Sequence, residues 1–431
     1  MRATAARPFV LYPSSPSSCC FLPPRFLLFL TFLITYLFLA QYCRRHLSFA
    51  DPTSIFFDPV KGHEQHYSLQ RQHEADLFLS TLNITSAHDS SAAHPPRMCL
   101  GIPTVAREGE QYIRSTIGSL LAGLELRHRQ EIHITILIAN TFPHKHPIFH
   151  EPWIESAVDD VLFYDVNRNV TNLLTQWEKE RAYTKKGLFD YSYTLQRCLE
   201  TGAQWIAMLE DDTLAAEGWY PRTMDALDKA DDQHQQSHQD WLYLRLFFTE
   251  EFLGWNIEEA PRYLLQSLVI SAAVAGFLLL FRSFTPNRFI ITDSFIMITA
   301  LVYTPALILL YFAAGRITMQ PLSPGVLEMP KFGCCAQGLV FPRNMAARVV
   351  SYLDSVGEGF VDQLLEEWAN KEGFVRWSVV PSLLQHIGRH SSKGDDFGAK
   401  AKWGQSVAEK IWSFGFERLG SSAATAAAVW R

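Results

Sequence analysis

Three consecutive carboxylates, Glu210, Asp211 and Asp212, directly follow the apolar run 205–209. A run of five apolar residues is too short for a helix and is typical of a strand that is buried on both faces. Ligands of open α/β sheets bind at the carboxyl ends of the strands, where carboxylate oxygens could hold a divalent cation against the phosphates of a nucleotide. The alternative is a solvated loop, or a cap of the helix predicted at 219–227, because short acidic runs are usually exposed.

Three charge-free apolar segments indicate that the chain is embedded in a membrane. Of its 431 residues, 48% are hydrophobic and only 19% are charged, which is an apolar excess for a soluble protein. Residues 26–43, 263–281 and 294–315 contain no charged residue, and each segment is long enough to cross a bilayer. Because only residues 282–293 separate the last two, these are predicted to form a helical hairpin. The first segment could be a signal peptide, but it begins late and has no clear small-x-small cleavage site.

Glycosylation sequons and loop charges predict that the acidic cluster lies in the secretory lumen. Sequons begin at Asn83 and Asn169, and such sites are usable only in the lumen. The short loop of the hairpin carries Arg282 and Arg288, which favours the cytosol by the positive-inside rule. The net charge of −6 comes with no basic stripe, so nucleic acid is not expected as a partner.

Four cysteines are predicted to lie in the same oxidising compartment, namely Cys99, Cys198, Cys334 and Cys335. They are sufficient for two disulfides, with three possible connectivities. Because adjacent cysteines seldom pair, we expect Cys334 and Cys335 each to bond to a more distant cysteine.

Strand and helix patterns alternate in the region that leads to the acidic cluster. Strands are predicted at residues 98–104, 132–138 and 160–165, with a helix pattern after the first strand and another before the strand 205–209. This alternation is typical of a mainly parallel sheet with crossover helices. No Gly-x-Gly-x-x-Gly follows the first strand, and there is no Gly-Lys-Ser/Thr phosphate loop. The sequence therefore argues against a dinucleotide-binding domain.

Several motifs resemble, in the same order, those of Golgi glycosyltransferases related to N-acetylglucosaminyltransferase IV. They are residues 101–108 (GIPTVARE), Lys186 with Asp190-Tyr191, residues 209–212 (LEDD), residues 361–365 (VDQLL) and residues 381–392 (PSLLQHIGRHSS). The last motif is the most specific, because such a series of residues seldom recurs by chance. The hairpin inside the domain is similar to the Golgi family that adds an N-acetylgalactosamine (GalNAc) side chain to glycosylphosphatidylinositol (GPI) anchors. That family has three membrane spans and a split GT-A domain, and the resemblance covers residues 98–395.

The resemblance implies a GT-A-like α/β domain that uses a UDP-sugar donor and a divalent cation, Mn²⁺ or Mg²⁺, in an inverting displacement. Such a cation would neutralise the charge of the leaving pyrophosphate. The metal ligands that it implies are Glu210, Asp212 and His386, with Asp212 as the first choice for direct contact. Glu210 departs from the first Asp of the usual Asp-x-Asp element, so the ligand set stays open. His386 could instead be satisfied by hydrogen bonds under the sheet.

The same resemblance assigns residues to the donor and the acceptor. Asp211 would contact the ribose or the metal, Arg107 and Lys186 would lie near phosphate or uracil, and Asp190 would accept a hydrogen bond. Arg107, Lys186 and Asp190 could equally pin a loop through surface ion pairs. Asp362 resembles the general base that takes the proton of the acceptor hydroxyl, although Asp at the start of a helix is also a common cap.

Two further segments leave alternatives open. Glu250 and Glu251, after the predicted strand 241–248, could be acceptor-side acids, although an exposed loop is the favoured interpretation. Trp255 occupies the place of the acceptor loop in the related enzymes, but a lone Trp is more often core or interface than a sugar platform. Residues 403–416 have a roughly helical apolar face, which is predicted to dock on the domain rather than on the membrane.

The hairpin also bears on the substrate, because a lipid-anchored acceptor can be met only at the membrane surface. The alternative is that the hairpin only anchors the chain or binds another membrane protein.

The predicted organisation is a cytosolic tail (1–25), a transmembrane helix (26–43), a lumenal stem (44–97), the first part of the GT-A domain (98–262), a transmembrane hairpin (263–281 and 294–315) around a cytosolic loop (282–293), the second part of the GT-A domain (316–395) and a C-terminal extension (396–431).

Together these features predict a multi-pass Golgi membrane enzyme with a lumenal catalytic domain. Its expected reaction moves GalNAc from UDP-GalNAc to a mannose of the GPI glycan, on the GPI lipid or on GPI-anchored proteins. One alternative is an N-acetylglucosaminyltransferase of N-glycans, against which the hairpin argues. Another is a catalytically inactive glycan-binding scaffold, against which the intact acidic cluster and Asp362 argue.

Overall fold

The computed structural model describes residues 24–82, 95–107, 109–284, 291–329, 335–389 and 411–420. The strands are β1 Met98–Thr104, β2 Ile132–Ile138, β3 Asp160–Leu162, β4 Trp205–Leu209, β5 Thr213–Ala215, β6 Trp241–Arg245, β7 Gly325–Glu328, β8 Gly338–Pro342, β9 Val375–Val380 and β10 Leu384–His386. The helices are α1 Pro24–Tyr42, α2 Pro59–Gly62, α3 Tyr67–Thr81, α4 Ile113–Leu121, α5 Leu126–Gln130, α6 Ile154–Ala157, α7 Arg168–Glu180, α8 Tyr183–Glu200, α9 Trp219–Ser237, α10 Ala260–Phe284, α11 Asp293–Ile298, α12 Thr304–Ala313, α13 Arg316–Met319, α14 Arg343–Val356 and α15 Val361–Glu372. Predicted features that lie outside the described residues are Asn83, Glu108, Arg288, Cys334 and residues 390–395.

The fold is mixed α/β around an eight-stranded sheet, in the order β3-β2-β1-β4-β8-β6-β9-β7. Strands β3, β2, β1 and β4 are parallel, as predicted, whereas β8 runs antiparallel to β4 and β6. Because β1 and β4 are parallel neighbours, Thr104 and the acids after Leu209 lie at the same edge of the sheet. A separate two-stranded ladder pairs β5 with β10. In the chain, β5 directly follows the three acidic residues.

Helices cover both faces of the sheet, so most sheet strands are buried on both sides. One apolar cluster contains residues of α4 and α9, and the other contains residues of α8, α14 and α15. A disulfide joins Cys99 of β1 to Cys198 of α8. The expectation that Cys334 and Cys335 each bond to one of these more distant cysteines is therefore wrong, because Cys99 and Cys198 pair with each other. Cys335 is also disulfide-bonded.

The region predicted to be a stem contains the helix α3, which packs on α4 of the α/β domain. Gly118 of α4 lies so close to Ala75 that a Cβ there would come within 2.6 Å of the Ala75 carbonyl oxygen. Arg71 of α3 is 2% exposed. Its guanidinium donates to the carbonyl oxygens of Ser119 at 2.8 Å and Ala215 at 2.9 Å. The described part of the stem is therefore built into the domain.

Replacing Arg71 by methionine is expected to destabilise the protein by about 3 kcal/mol, because buried carbonyl groups lose their donors. In a domain of this size that corresponds to a fall in the thermal midpoint of roughly 6–12 °C. Thermal unfolding of the purified protein in detergent measures it. The matched control is Arg127→Met, since Arg127 is 71% exposed and pairs with exposed Glu125. Equal midpoints for the two variants would contradict the structural role of Arg71.

Within the described part of the chain, three helical segments are long and apolar enough to cross a membrane, namely Phe26–Leu47, Glu250–Phe284 and Asp293–Ala313. They match the predicted apolar segments, and most of their side chains are exposed. The second and third segments lie between β6 and β7 in the chain, although both strands belong to the eight-stranded sheet. The described fold is thus a mixed α/β membrane protein with several apolar helices.

Hydrogen bonds join the segments that follow the first and third apolar helices. Asp51 is buried and accepts from the backbone N–H of Thr318 at 2.7 Å. The Ser54 hydroxyl donates to the carbonyl oxygen of Ala313 at 2.9 Å. Gly315 has a φ of 94°, and a Cβ there would overlap Asp51. These contacts connect the segment after the first apolar helix to the end of the third.

Candidate active site

Pairing of β5 with β10 brings the acidic cluster to the late histidine. In this antiparallel ladder Thr213 lies opposite His386, and the backbone N–H of Ile387 donates to the Asp212 carbonyl oxygen at 2.9 Å. The His386 Nε2 atom is 3.5 Å from Asp212 Oδ2. A Cβ on Gly388 would overlap Asp212 Oδ2 and lie 3.0 Å from His386 Nε2, so this close approach requires glycine.

Arg107 enters the same cluster from the loop after β1. Its Nη2 atom is 2.6 Å from Asp211 Oδ1 and 3.1 Å from Asp212 Oδ2. The Thr104 hydroxyl donates to Asp211 Oδ2 at 2.6 Å, and the guanidinium lies 5.1 Å from the centre of the Tyr112 ring. The side chains of Arg107, Asp211 and Asp212 are each 10% exposed or less. This arrangement excludes the alternative of a solvated acidic loop.

The environment separates the titration of the two aspartates. Burial raises the pKa of Asp211 to about 6, although Arg107 opposes that shift. Burial also raises the pKa of Asp212, but attraction by His386 and Arg107 overcomes it and lowers the pKa to about 2. Burial lowers the pKa of His386, yet the charge and hydrogen bond of Asp212, together with the charge of Glu210, outweigh burial and the net direction is upward. The Asp212 carboxylate therefore favours the protonated form of His386, and a protonated His386 favours the charged form of Asp212.

Several buried polar atoms around this cluster have no hydrogen-bond partner among the residues that the structure describes. They are Arg107 Nε and Nη1, Asp212 Oδ1, Tyr191 Oη and Gln337 Oε1. Gln337 belongs to the site because its carbonyl oxygen accepts from the Glu210 N–H at 3.2 Å. A buried polar group without a partner is costly, so unpaired donors and acceptors in one cluster indicate a place for a polar ligand.

The residues fit a divalent cation that a nucleotide helps to hold. No group of three or more His, Cys, Asp and Glu in the described ranges is arranged as a complete metal site. Mg²⁺ in phosphate-transfer sites usually takes one or two protein carboxylates, and phosphates and waters complete its shell. Asp212 offers the unpaired oxygen Oδ1 next to the imidazole of His386. The carboxylate oxygen suits Mn²⁺ or Mg²⁺.

Lys186 and Asp190 form a buried group of their own. Lys186 Nζ is 2.9 Å from Asp190 Oδ2 and donates to the Ala139 carbonyl oxygen at 2.8 Å. The Tyr164 hydroxyl donates to Asp190 Oδ1 at 2.6 Å, and burial raises the pKa of Asp190 even though Lys186 opposes the shift. The ion pair foreseen as an alternative is thus present, but it is buried. A contact of either residue with a nucleotide stays a prediction.

Asp362 is half-buried in the first turn of α15. Its Oδ1 atom accepts from the Gln363 N–H at 2.9 Å and its Oδ2 atom from the Cys335 N–H at 3.3 Å. Cys335 is two residues before Gln337, whose carbonyl oxygen binds the Glu210 backbone. Two extended residues span at most about 7 Å. A short segment of chain therefore links Asp362 to the acidic cluster.

Glu250 is buried, contrary to the favoured interpretation of an exposed loop. Its Oε2 and Oε1 atoms accept from the N–H groups of Phe414 at 2.9 Å and Gly415 at 2.8 Å. Trp255 contacts aromatic rings at the ends of the apolar helices, with ring centres 4.8 Å from Phe312 and 5.5 Å from Tyr263. Both residues are thus engaged in packing at the membrane-proximal side.

Thr104, Tyr112 and Gln337 also lie at this site. None of the three had a role predicted from the sequence. Thr104 lies within a quoted motif, so its position after β1 was a usable signal. Gln337 carried no signal, because its place depends on the antiparallel pairing of β8 with β4.

A family model described as GPI-N-acetylgalactosamine transferase PGAP4 matches residues 98–385. The matched region begins with β1 and includes Arg107, the acidic cluster, the apolar helices after β6, and Asp362. It ends one residue before His386 and leaves out the stem and residues 411–420.

Proposed function

This chain belongs to the GPI-N-acetylgalactosamine transferase family, which is a family of glycosyltransferases, and on that premise we propose that it moves GalNAc from UDP-GalNAc to a mannose of the GPI glycan. We propose further that the transfer is an inverting single displacement with Mn²⁺ or Mg²⁺ as cofactor. The observation that carries this proposal is the convergence of Asp211, Asp212, His386 and Arg107 at one buried cluster with unpaired polar atoms.

In this proposal Asp212 and His386 hold the cation, with Glu210 as a further candidate ligand. The bound cation would supply charge neutralisation to the leaving pyrophosphate. Asp211 contacts the ribose or the cation, and it is oriented by the Thr104 hydroxyl at 2.6 Å. Lys186 and Asp190 complete the nucleotide side of the cleft. The unpaired Oδ1 atom of Asp212 supports the role of this residue.

In this proposal Arg107, which pairs with Asp211 and Asp212, also binds the phosphates of the nucleotide. Its Nε and Nη1 atoms are buried without partners, so an incoming phosphate can accept from them in a charge-assisted bond. The positive charge of this guanidinium, whose Nη2 atom is 2.6 Å from Asp211, also repels a metal cation. The cation is therefore expected to bind well only together with UDP.

Replacing Arg107 by methionine is expected to let Mn²⁺ bind without UDP at least about tenfold more tightly, since a positive charge beside the site is removed. Transfer should fall, because a phosphate contact is lost. Manganese titration followed by electron paramagnetic resonance, with and without UDP, measures the first effect. The control is Arg97→Met, whose side chain is 48% exposed in a surface pair with Glu131. Unchanged Mn²⁺ affinity in Arg107→Met would contradict this role.

On the acceptor side, Asp362 is proposed as the general base. An inverting displacement needs a group that takes the proton of the acceptor hydroxyl on the face opposite the leaving group. Asp362 is half-buried. Among the described residues, its carboxylate accepts hydrogen bonds only from backbone N–H groups. Its link to Glu210 through residues 335–337 supports a place across the cleft.

Residues 98–262 and 316–395 are proposed to form one GT-A-type catalytic domain that a transmembrane hairpin divides. The pairing of β6 with both β8 and β9 across the hairpin supports this organisation. Aromatic residues at helix ends are typical of a membrane interface, and the cluster of Trp255, Tyr263 and Phe312 has that character. The cleft would then face the lumenal leaflet, where a lipid-anchored acceptor can enter. Asn169 is exposed on α7, which supports a lumenal Golgi location.

The test is transfer by the purified protein from UDP-GalNAc, UDP-GlcNAc and UDP-galactose to a GPI lipid and to a soluble N-glycan. We expect GalNAc transfer to the GPI lipid alone. Mass spectrometry of GPI glycans from cells with and without this chain should show the GalNAc side chain only when the chain is present. Efficient transfer to the soluble glycan would favour the N-glycan alternative, and no transfer from any donor would favour the scaffold.

A further inference from the structure

We infer that residues 411–420, here called the C-terminal strap, position His386, and that Glu417 and Gln385 are the positioning residues through which the strap acts. The strap lies outside the matched family region, and it has no part in the reaction described above. The inference rests on the proposed function of His386, but its geometry is independent of any cation.

The first contact is between the strap and β10. The Gln385 side chain is fully buried, and its carboxamide pairs with the backbone of Ser413. Gln385 Nε2 donates to the Ser413 carbonyl oxygen at 2.9 Å, and the Ser413 N–H donates to Gln385 Oε1 at 2.9 Å. The same Oε1 atom accepts from the N–H of His386 at 3.2 Å. Gln385 thus joins the strap to the backbone of the residue that faces Asp212.

The second contact is between the strap and the stem helix α3. Glu417 Oε2 accepts from the N–H groups of His66 and Tyr67 at 2.9 Å and of Ser68 at 3.2 Å. A carboxylate is favourable there, because the first N–H groups of a helix have no partner within it. Glu417 Oε1 accepts from Gln385 Nε2 at 3.1 Å. One carboxylate therefore connects α3 to β10.

The third contact is with the loop before the second apolar helix. Glu250 accepts from the N–H groups of Phe414 and Gly415, and a Cβ on Gly415 would lie 2.9 Å from Glu250 Oε1. Phe416 is fully buried, with its ring centre 5.1 Å from that of Tyr67. The strap is thus held by β10, by α3 and by the membrane-proximal loop.

These contacts matter because the ladder that carries His386 is small. β5 and β10 pair over three residues each, and an isolated two-stranded ladder is marginally stable. The 3.5 Å separation of His386 Nε2 and Asp212 Oδ2 spans this ladder. α3 binds the other strand, since Arg71 donates to Ala215 of β5. The strap and α3 therefore close a ring of contacts around both strands, which keeps His386 next to Asp212.

The test compares Glu417→Gln and Gln385→Met with the full-length wild type in detergent. Both variants are expected to raise amide hydrogen exchange of residues 384–387 at least tenfold, to lower kcat for GalNAc transfer 10- to 100-fold, and to weaken UDP-dependent Mn²⁺ binding about tenfold. The matched control is Arg129→Met, because Arg129 is buried at 3.0 Å from Asp159 near the start of β2, at the other edge of the sheet. It should lower the thermal midpoint without these changes.

Two results would overturn the inference. One is exchange of residues 384–387 that stays within twofold of the wild type in both variants. The other is increased exchange of these residues while kcat and Mn²⁺ affinity stay unchanged or fall no more than in Arg129→Met. That result would make the strap a stabilising element only. Failure of the proposed function is seen separately, as wild-type protein that transfers no GalNAc and does not bind Mn²⁺ with UDP. In that case hydrogen exchange of residues 384–387 alone decides the role of the strap.

Discussion

Asp212→Asn is expected to lower kcat/KM for GalNAc transfer by about 10³-fold, which is the size of effect that follows loss of one preorganised electrostatic contact at a reacting group. Asparagine keeps the shape of the side chain but removes the charge that faces His386 at 3.5 Å and Arg107 at 3.1 Å. It also replaces one of the two carboxylate oxygens, of which Oδ1 is unpaired among the described residues, by an amide NH2 group, which cannot bind a cation. Steady-state transfer from UDP-GalNAc to GPI lipid measures the effect.

The control for this variant is Asp240→Asn. Asp240 is exposed and pairs with Arg348 at 3.4 Å, at the end of the sheet opposite the acidic cluster. Its substitution should leave transfer within twofold of the wild type. Mn²⁺ binding in the presence of UDP should fall in Asp212→Asn and not in the control. Near-normal transfer by Asp212→Asn would reject the cation site.

Asp362→Asn is expected to lower kcat by about 10²- to 10⁴-fold, which is the range for a lost general base. Binding of UDP should not change, because Asp362 lies on the acceptor side of the proposed cleft. Asparagine keeps an acceptor oxygen for one of the two backbone N–H groups, those of Cys335 and Gln363, that the carboxylate binds. The local fold should therefore persist with a loss of about 1 kcal/mol of stability. Single-turnover transfer and calorimetric UDP binding separate the two effects.

A purely structural role of Asp362 makes a different prediction. Asp362 is not the cap that the sequence offered as an alternative, because Phe360 occupies the N-cap position of α15 and Asp362 lies inside the first turn. Loss of one hydrogen bond to the backbone costs about 1 kcal/mol of stability and leaves chemistry intact. A variant with a lower thermal midpoint but normal kcat would therefore show that the role of Asp362 is structural only. The control is Glu367→Gln, since Glu367 is exposed on the same helix and should change neither quantity.

The sequence alone predicted the parallel part of the sheet and the three apolar helices. Both depend on local patterns, because a run such as 205–209 can be buried as a strand wherever it pairs, and a charge-free segment of bilayer length needs no tertiary partner to be apolar. The same apolar run also predicted that Glu210, Asp211 and Asp212 lie at the carboxyl end of β4. The motif resemblance, and not periodicity, predicted the family and the roles of His386 and Asp362.

The partners of these residues depended on contacts between segments that are far apart in the chain. The ion pairs of Arg107 with Asp211 and Asp212, and the pairing of β5 with β10, join residues separated by more than a hundred positions. The burial of Glu250 likewise depends on the strap at Phe414 and Gly415. A hydrogen bond or ion pair of this kind has no periodic signature, since it forms only when the folded chain buries both groups together. Residue type and spacing therefore determined which groups could do chemistry, whereas the tertiary structure decided which of them meet.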